Sequence, residues 1–201
     1  GADTMTVPHP IPYQGSKRHI ARFILSFFPQ QIDTLIEPFA GSAAVSIAAA
    51  CQRKATRFHL NDVNQPLMAL WQELILNPQA VADGYERLWK QQADNKREFY
   101  DLIRDEFNKT KRTDYLLYLL ARCVKASVRY NARGAFNQSP DNRRLGRHPD
   151  QMRHDLLAVS SLFRGRTVIT NQDYRELLQS VTPDSLVYMD PPYQGVCQSD
   201  D

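Results

Sequence analysis

The sequence contains few cysteines, and none of them stands in a metal-binding pattern. Cys51, Cys123 and Cys197 are odd in number, widely spaced and without a Cys-x-x-Cys pair. Spacing of this kind indicates reduced thiols rather than a disulfide framework or a zinc site. The five histidines form no cluster at ligand spacing either, so we expect no metal cofactor.

Long apolar runs and targeting patterns are also missing. No apolar stretch approaches the roughly 20 residues that a membrane span requires, and residues 1–10 lack the charged-then-apolar pattern of a signal peptide. We therefore expect a cytoplasmic protein with no membrane partner. The 201 residues, 42% of them hydrophobic and 23% charged, are typical of a globular protein with one sizeable core and room for a small second lobe.

Net charge is low, but it is unevenly distributed. The formal net charge is only +3, yet residues 122–166 contain ten Lys and Arg side chains against three Asp. The rest of the chain is therefore net acidic. A basic segment on an acidic protein indicates a surface that faces a polyanion such as nucleic acid, although a solvated charged face would give the same count.

The most informative stretch lies near the end of the sequence, where an apolar run stops at Asp190-Pro191-Pro192-Tyr193. The run Ser185–Met189 predicts a buried strand, and the two prolines predict a rigid turn without N–H donors. Asp190 supplies carboxylate oxygens, the adjoining main chain a carbonyl, and Tyr193 a flat ring. These groups are suited to hold an exocyclic amino group in the plane of a stacked base. A plain strand-ending turn is the alternative interpretation.

A helix is predicted to follow Tyr13-Gln14-Gly15-Ser16-Lys17, because apolar residues recur at helical spacing up to Pro29. Ser16 is the predicted N-cap. Lys17 would then lie at the helix start, where the macrodipole disfavours a cation, so it is a candidate for binding an anion. An ordinary solvent-exposed lysine is the alternative. The apolar positions of this helix are Ile20, Phe23, Ile24 and Phe27.

Residues 34–64 follow the pattern of a nucleotide-binding βαβ unit. A strand at Thr34–Ile36 leads into Glu37-Pro38-Phe39-Ala40-Gly41-Ser42, and a small-residue helix follows at Ala43–Ala50. Gly41 is expected to let a ligand approach the backbone closely. The next strand ends at Asp62, where Rossmann-like folds place a carboxylate on the ribose hydroxyls; helix capping ahead of Pro66 is the alternative.

Between Pro66 and about Tyr130 the pattern is entirely helical. An all-helical block inside a strand–helix alternation predicts an inserted lobe. Four helices are predicted, at Leu67–Leu76, Val81–Trp89, Phe99–Phe107 and Tyr115–Val128.

The 129–147 segment, Arg129 to Arg147, is rich in Asn, Gly, Pro and Arg, which predicts a loop or hairpin. Asn, Gln and Arg side chains read base edges, and Arg also holds phosphate. A surface loop without a partner is the alternative. The candidate DNA-binding residues are Arg129, Asn131, Arg133, Asn137, Gln138, Arg143, Arg144 and Arg147.

An acidic residue ends or follows each of the four predicted strands. The third strand, Thr167–Thr170, comes after a helix at Gln151–Phe163, and the fourth comes after a helix at Tyr174–Gln179. The carboxyl ends of parallel strands meet at one edge of a sheet, where open α/β folds bind ligands. The four acids are Glu37, Asp62, Asp173 and Asp190.

In this order, the motifs resemble the Dam-type DNA adenine-N6 methyltransferase family over nearly all of residues 11–195. Residues 13–17 resemble the family's N-terminal cofactor motif, whose lysine meets the methionine carboxylate of S-adenosyl-L-methionine. Residues 36–42 resemble its glycine-turn motif and residues 60–64 its ribose-binding motif. Asn131–Asn137 resembles the Asn-x-x-Gly-x-Phe-Asn of its target-recognition hairpin, Asp173 the acid that contacts the cofactor adenine, and Asp190–Tyr193 its catalytic tetrapeptide.

The resemblance implies two sets of site residues. The catalytic set is Asp190, Pro191, Pro192 and Tyr193. The set that binds S-adenosyl-L-methionine is Tyr13, Gly15, Lys17, Glu37, Pro38, Phe39, Gly41, Ser42, Asp62 and Asp173.

The fold implied by the resemblance is α/β, a Rossmann-like S-adenosylmethionine methyltransferase sheet with an inserted helical target-recognition lobe. Residues 11–64 and 165–201 would form the methyltransferase domain and residues 65–164 the DNA-binding insertion. The family often has a second glycine in the first turn, where this chain has Ala43 and Ala44. Because the family continues past the tetrapeptide with further strands, we expect a missing C-terminal segment or a second polypeptide to complete the sheet.

The implied reaction is methyl transfer from S-adenosyl-L-methionine to N6 of an adenine flipped out of double-stranded DNA. Asp190 and a neighbouring carbonyl would accept the two N–H bonds of the amine and aim its lone pair at the methyl group, with the base stacked on Tyr193. Two alternatives stay open. One is a methyltransferase for RNA or a protein amide, and the other is a catalytically silent nucleic-acid-binding subunit that needs a partner chain.

Overall fold

A sheet of four parallel strands lies at the centre of the computed structural model, which describes residues 6–13, 15–123, 133–137, 139–140 and 145–191. The strands are β1 (Ile32–Glu37), β2 (Ala55–Asn61), β3 (Thr167–Thr170) and β4 (Ser185–Val187), in the order β3-β2-β1-β4. Because all three strand pairs are parallel, the four carboxyl ends lie at one side of the sheet, called the strand-tip edge below. The predicted mixed α/β fold with a parallel sheet is confirmed.

The order of the strands reverses beside β1. The chain runs from β1 outward to β2 and β3 and then returns to the opposite side of β1 to form β4. In this register Ile36 lies between His59 and Val187. Such a reversal opens a crevice beyond the carboxyl ends of two neighbouring strands. Glu37, the last residue of β1, and Asp190, just past β4, flank that crevice.

Eight α-helices connect the strands within the residues that the structure describes. Five of them, together with a short 3-10 helix at Gln92–Asp94, lie between β2 and β3 in the chain. The predicted helix Tyr115–Val128 is too long, because Cys123 is extended and pairs with Pro140. The α-helices are α1 (Ala21–Leu25), α2 (Ala44–Cys51), α3 (Gln65–Leu76), α4 (Pro78–Gln91), α5 (Lys96–Thr110), α6 (Thr113–Arg122), α7 (Pro149–Phe163) and α8 (Tyr174–Leu178).

One hydrophobic core runs from the sheet into the helices between β2 and β3. Phe163 of α7 connects the two, since its ring lies 5.1 Å from that of Phe58 in β2 and 6.0 Å from that of Trp71 in α3. Further out, Tyr85 and Phe107 are 0% exposed. Burial of aromatic side chains of this size stabilises the helical part on the sheet by several kcal/mol, at about 2 kcal/mol per side chain.

The first helix differs from its prediction. It begins at Ala21, with Ile20 as N-cap, so the predicted capping role of Ser16 is wrong. The Ser16 hydroxyl instead bonds to Ser42 Oγ at 2.8 Å, a partner far away in the sequence. Two of the predicted apolar positions, Phe23 and Phe27, are 66% and 75% exposed, because α1 is too short to bury more than one narrow face.

Within the described ranges, no helix has the length and apolarity needed to span a membrane. These residues likewise contain no group of three or more His, Cys, Asp or Glu side chains placed to hold a metal ion. Cys51 is a free thiol, and Cys123 Sγ–H donates to Leu120 O at 3.6 Å.

Candidate active site

Two residues from opposite ends of the described chain meet at the strand-tip edge. Lys17 Nζ lies 3.3 Å from Asp190 Oδ2, and the two side chains are 34% and 40% exposed. Lys17 is held there by the hydroxyl bond between Ser16 and Ser42. Asp190 follows Tyr188, whose N–H donates to Ile36 O at 2.9 Å and continues the β4 pairing towards the turn. Lys17 thus lies ahead of α1 rather than at its start, and its contact with a cofactor carboxylate stays a prediction.

Glu37 occupies a buried position at the end of β1, where it is 4% exposed. Its Oε2 accepts hydrogen bonds from Ser46 N–H at 3.1 Å and from Ser46 Oγ–H at 2.5 Å. Burial raises the pKa of Glu37 to about 7; the two bonds from Ser46 oppose this shift, and the negative charge of Asp190 adds to it. Oε1 accepts no hydrogen bond from the residues described, so it can take one from a ligand.

Asp62 closes the glycine turn that follows β1. Its Oδ2 accepts from Gly41 N–H at 3.2 Å and its Oδ1 from Asn64 N–H at 3.0 Å. Burial raises the pKa of Asp62, and these main-chain bonds partly offset the shift. The alternative role of Asp62 as the cap of α3 is wrong, because Asn64 is the cap and its side chain accepts from Leu67 N–H at 3.2 Å.

Two residues with positive φ shape this turn, Gly41 at 51° and Ala43 at 55°. Ala43, which stands where the family often has a second glycine, thus adopts a conformation that favours glycine. A Cβ at Gly41 would lie 2.9 Å from Tyr13 Cε1, so the close approach at this glycine is made by the Tyr13 ring. Burial, followed by the charge of Asp62, raises the pKa of Tyr13 to about 12.

Asp173 lies past β3 at the same edge and forms the N-cap of α8. Its Oδ1 accepts from Arg175 N–H at 2.8 Å and from Arg175 Nε–H at 3.0 Å. The hydrogen bonds from Arg175 hold the pKa of Asp173 below its usual range. Tyr174 follows Asp173, and its ring lies 5.2 Å from the ring of Phe39, which follows β1. The two rings form an aromatic surface between the tips of β1 and β3.

The remaining predicted residues of this edge are placed as follows. Pro38 is buried, and its carbonyl is bonded by Asn61. Gly15 is exposed at φ 78° with open space around it, and Pro191 is exposed. Pro192 and Tyr193 lie outside the described residues.

A family model described as D12 class N6 adenine-specific DNA methyltransferase matches residues 13–199. This chain belongs to that family. The resemblance to Dam-type adenine-N6 methyltransferases is thereby confirmed.

This D12-class chain is similar to three curated relatives over most of its own length. The Type II methyltransferase M.MjaIII of Methanocaldococcus jannaschii is 26% identical over 92% of this chain and 68% of its own length. The DNA adenine methylase of Vibrio cholerae is 27% identical over 91% of this chain and 64% of its own. The Retron Ec67 DNA adenine methylase of Escherichia coli is 29% identical over 80% and 55%. The chain thus spans about two thirds or less of the length of these relatives.

Asn61 is a residue of this edge that the sequence reasoning overlooked. It is 0% exposed, and its Nδ2 donates to Pro38 O at 3.0 Å and to Gln172 O at 2.9 Å. Its Oδ1 accepts from Thr170 Oγ1–H at 2.7 Å and from Gln172 N–H at 2.8 Å. One side chain therefore ties the tips of β1, β2 and β3 together. An amide at the end of an apolar strand was the available signal, since buried polar side chains are nearly always bonded.

Only part of the predicted DNA-binding set falls within the described residues. Arg133 and Asn137 are exposed. Arg147 is part of an ion pair, since its Nη1 donates to Asp155 Oδ2 at 2.9 Å and to His9 O at 2.8 Å. The residues outside the described ranges are Arg129, Asn131, Gln138, Arg143 and Arg144.

Proposed function

We propose that this chain transfers a methyl group from S-adenosyl-L-methionine to N6 of an adenine in double-stranded DNA. The observation that carries the proposal is the contact of Lys17 with Asp190 at the reversal between β1 and β4, where Glu37 ends β1. Membership of the D12 class family supports it, and so do the names of the relatives, DNA adenine methylases and type II methyltransferases.

The strand-tip edge carries groups that fit the cofactor. S-adenosyl-L-methionine, when bound, supplies an electrophilic methyl group on a sulfonium. Lys17 would pair with its carboxylate, and the carboxylate oxygen Glu37 Oε1 would accept from its ammonium. Asp62 would accept from the ribose hydroxyls. The rings of Phe39 and Tyr174 offer an apolar surface for the adenine moiety.

Asp190 is the residue that we assign to the target amine. Lys17 approaches only its Oδ2, and Oδ1 accepts no hydrogen bond from the described residues. The lone pair of adenine N6 is conjugated into the ring, so the amine is a poor nucleophile. When Asp190 and a neighbouring carbonyl accept its N–H bonds, the nitrogen becomes more tetrahedral and its lone pair is directed at the methyl carbon. An N–C bond forms, the C–S bond breaks, and one N6 proton leaves to solvent.

We assign DNA recognition to residues 65–164, as a lobe inserted into a methyltransferase domain of residues 11–64 and 165–201. The exposed side chains of Arg133 and Asn137 support this division, because Arg and Asn read base edges. The target adenine must leave the duplex to reach Asp190, at a cost of a few kcal/mol. Tyr193 stays the predicted stacking partner of the extruded base.

Transfer of labelled methyl groups tests the proposal. The chain is incubated with methyl-labelled S-adenosyl-L-methionine and, in parallel, with duplex DNA, RNA and unrelated protein. The expected product is N6-methyladenine in duplex DNA, identified after hydrolysis. Label in RNA or in a protein amide alone would overturn the assigned substrate. Binding of DNA without any transfer would make the chain a silent nucleic-acid-binding subunit.

A further inference from the structure

A single side chain of α5 holds the main chain at Phe136, within the 129–147 segment. Asn108 Nδ2 donates to Phe136 O at 3.1 Å, and Asn108 Oδ1 accepts from Phe136 N–H at 2.7 Å. Both main-chain groups of Phe136 are thus paired with one amide, as they would be with a neighbouring strand. The uncharged amide of Asn carries the donor and the acceptor in one plane that this arrangement needs, whereas a carboxyl group does so only when protonated.

The side chain of Phe136 is inserted into the helical part at this point. It is 1% exposed, and its ring meets that of Phe107 edge-on at 6.0 Å. Arg133 and Asn137, on either side of it in the sequence, are exposed. The bonds from Asn108 therefore fix a buried anchor from which two exposed polar side chains project.

A second anchor holds the end of the same segment. Three side chains on one face of α4 and the turn after it donate to three successive main-chain carbonyls. Gly146 allows this approach, since it has φ 88° and a Cβ there would lie 2.9 Å from Tyr85 Oη. The donors and acceptors are Tyr85 with Arg147 O at 2.6 Å, Trp89 with Gly146 O at 3.4 Å, and Gln92 with Leu145 O at 2.9 Å.

We propose that Asn108 is a positioning residue for DNA recognition, which places Arg133 and Asn137 by holding the main chain of Phe136. The inference rests on the proposed function, because it assigns those exposed side chains to DNA. A segment that is ordered before binding loses less conformational entropy when it meets its partner. Loss of the Asn108 bonds therefore weakens DNA binding and base discrimination, while cofactor binding and the transfer step stay intact.

Steady-state kinetics of Asn108→Ala on duplex DNA test the inference. The KM for DNA is expected to rise roughly tenfold, as for the loss of two hydrogen bonds. The kcat at saturating DNA and the Kd of S-adenosyl-L-methionine should stay within about twofold of wild type, because the bonds of Asn108 go to Phe136 and α5 packs mainly against α6 and the 3-10 helix. Methylation at sites one base pair different from the preferred sequence should rise relative to that sequence.

Two further variants calibrate this effect. Asn77→Ala is the matched control, since Asn77 lies at the exposed junction of α3 and α4, where its Nδ2 bonds only Glu73 Oε1 at 3.2 Å and makes no capping bond, and wild-type kinetics are expected. Tyr85→Phe removes one bond at the second anchor and should raise the KM for DNA by roughly threefold.

Asn108→Asp separates positioning from a general loss of folding. Its carboxylate keeps the acceptor for Phe136 N–H but faces Phe136 O without a donor, and protonation restores the donor. Its DNA affinity, divided by that of wild type at the same pH, should therefore recover as the pH falls from about 8 to about 5.

The outcomes distinguish this inference from the proposed function. A wild-type chain that methylates no DNA overturns the proposed function. A wild-type chain that methylates DNA, with Asn108→Ala unchanged in KM and base discrimination, overturns the positioning role alone. If Asn108→Ala does not fold, Asn108→Asp decides. A DNA affinity relative to wild type that does not change with pH would then contradict the inference.

Discussion

The strand-tip edge and the main chain at Phe136 are held in opposite ways. At the strand-tip edge the candidate functional side chains are themselves bonded: Glu37 to Ser46, and Asp62 to the amides of Gly41 and Asn64. At the other region the bonds from Asn108 reach the main chain of Phe136 instead, and the nearby side chains of Arg133 and Asn137 are exposed. Side chains that bind a small cofactor must be held in a single conformation, whereas side chains that read DNA need a fixed main chain from which they project.

Because of this difference, we expect substitutions in the two regions to impair different steps. A change at the strand-tip edge should affect methyl transfer or cofactor binding, and a change at the Asn108 anchor should affect DNA binding. Variants that break each group of bonds therefore show whether the two regions act independently.

Removal of the Asp190 carboxylate should have the largest effect. Asp190→Ala takes away the acceptor for the target amine, so single-turnover methyl transfer should fall by about a thousandfold or more. The Kd of S-adenosyl-L-methionine should change by less than about threefold, because the ion pair with Lys17 is partly exposed. Asp184→Ala, in the exposed turn before β4, is the control. Residual transfer within about tenfold of wild type would remove Asp190 from the reaction.

Loss of the Asn61 amide should disturb the whole edge. Asn61→Ala leaves main-chain groups of Pro38 and Gln172 unpaired, which should lower the free energy of unfolding by about 3 kcal/mol. Binding of S-adenosyl-L-methionine, measured by calorimetry, should weaken as the three strand tips move apart. Asn171→Ala removes a single bond to Asp62 O from an exposed side chain and should be nearly neutral. Equal effects of the two variants would contradict the role of Asn61.

Glu37 should make stability depend on pH. Its pKa in the folded state, about 7, lies above the usual carboxyl value, so its protonated form is favoured by folding. The stability contribution is complete below the unfolded pKa near 4.5 and is lost as the pH rises through about 7, by up to about 3 kcal/mol. Glu37→Gln lacks this loss. Its Tm relative to wild type should therefore rise with pH across that window, and a constant difference would count against a buried, protonated Glu37.

Gly41→Ala should have the smallest effect of the four. The substitution forces a side chain into φ 51° and places its Cβ 2.9 Å from the Tyr13 ring. Gly165→Ala is the control. It also places a side chain at a positive φ, 80°, but its Cβ would have no other atom within 4 Å. Both variants should lose about 1–2 kcal/mol of stability, but only Gly41→Ala should also weaken binding of S-adenosyl-L-methionine. Equal cofactor affinities would show that docking of Tyr13 on this turn is not needed.

The sequence predicted the strand-tip edge well because its signals are local. Each acid directly ends or follows an apolar run, and parallel strands bring such ends together. Glu37, Asp62 and Asp190 were therefore found from the strands alone. Ser46, the partner of Glu37, was not found, and neither was Asn61, which ties the strand tips together, because both are defined by three-dimensional contacts.

The failures of prediction also come from distant contacts. Ser16 was predicted as a helix cap, but its hydroxyl bonds Ser42. Arg147 stays a predicted DNA contact, but its bonds to Asp155 and to the carbonyl of His9, 138 residues away in the sequence, were likewise not visible in the local pattern. Local patterns indicate which side chains carry charge, and only packing decides which partner that charge meets.

A crystal structure of this chain with S-adenosyl-L-homocysteine, the demethylated cofactor, shows whether the strand-tip edge binds the methyl donor. We expect the ligand at this edge, with its carboxylate near Lys17, its ammonium near Glu37 and its ribose on Asp62. Binding elsewhere, such as between α4 and α5, would contradict the assignment of this edge to methyl transfer.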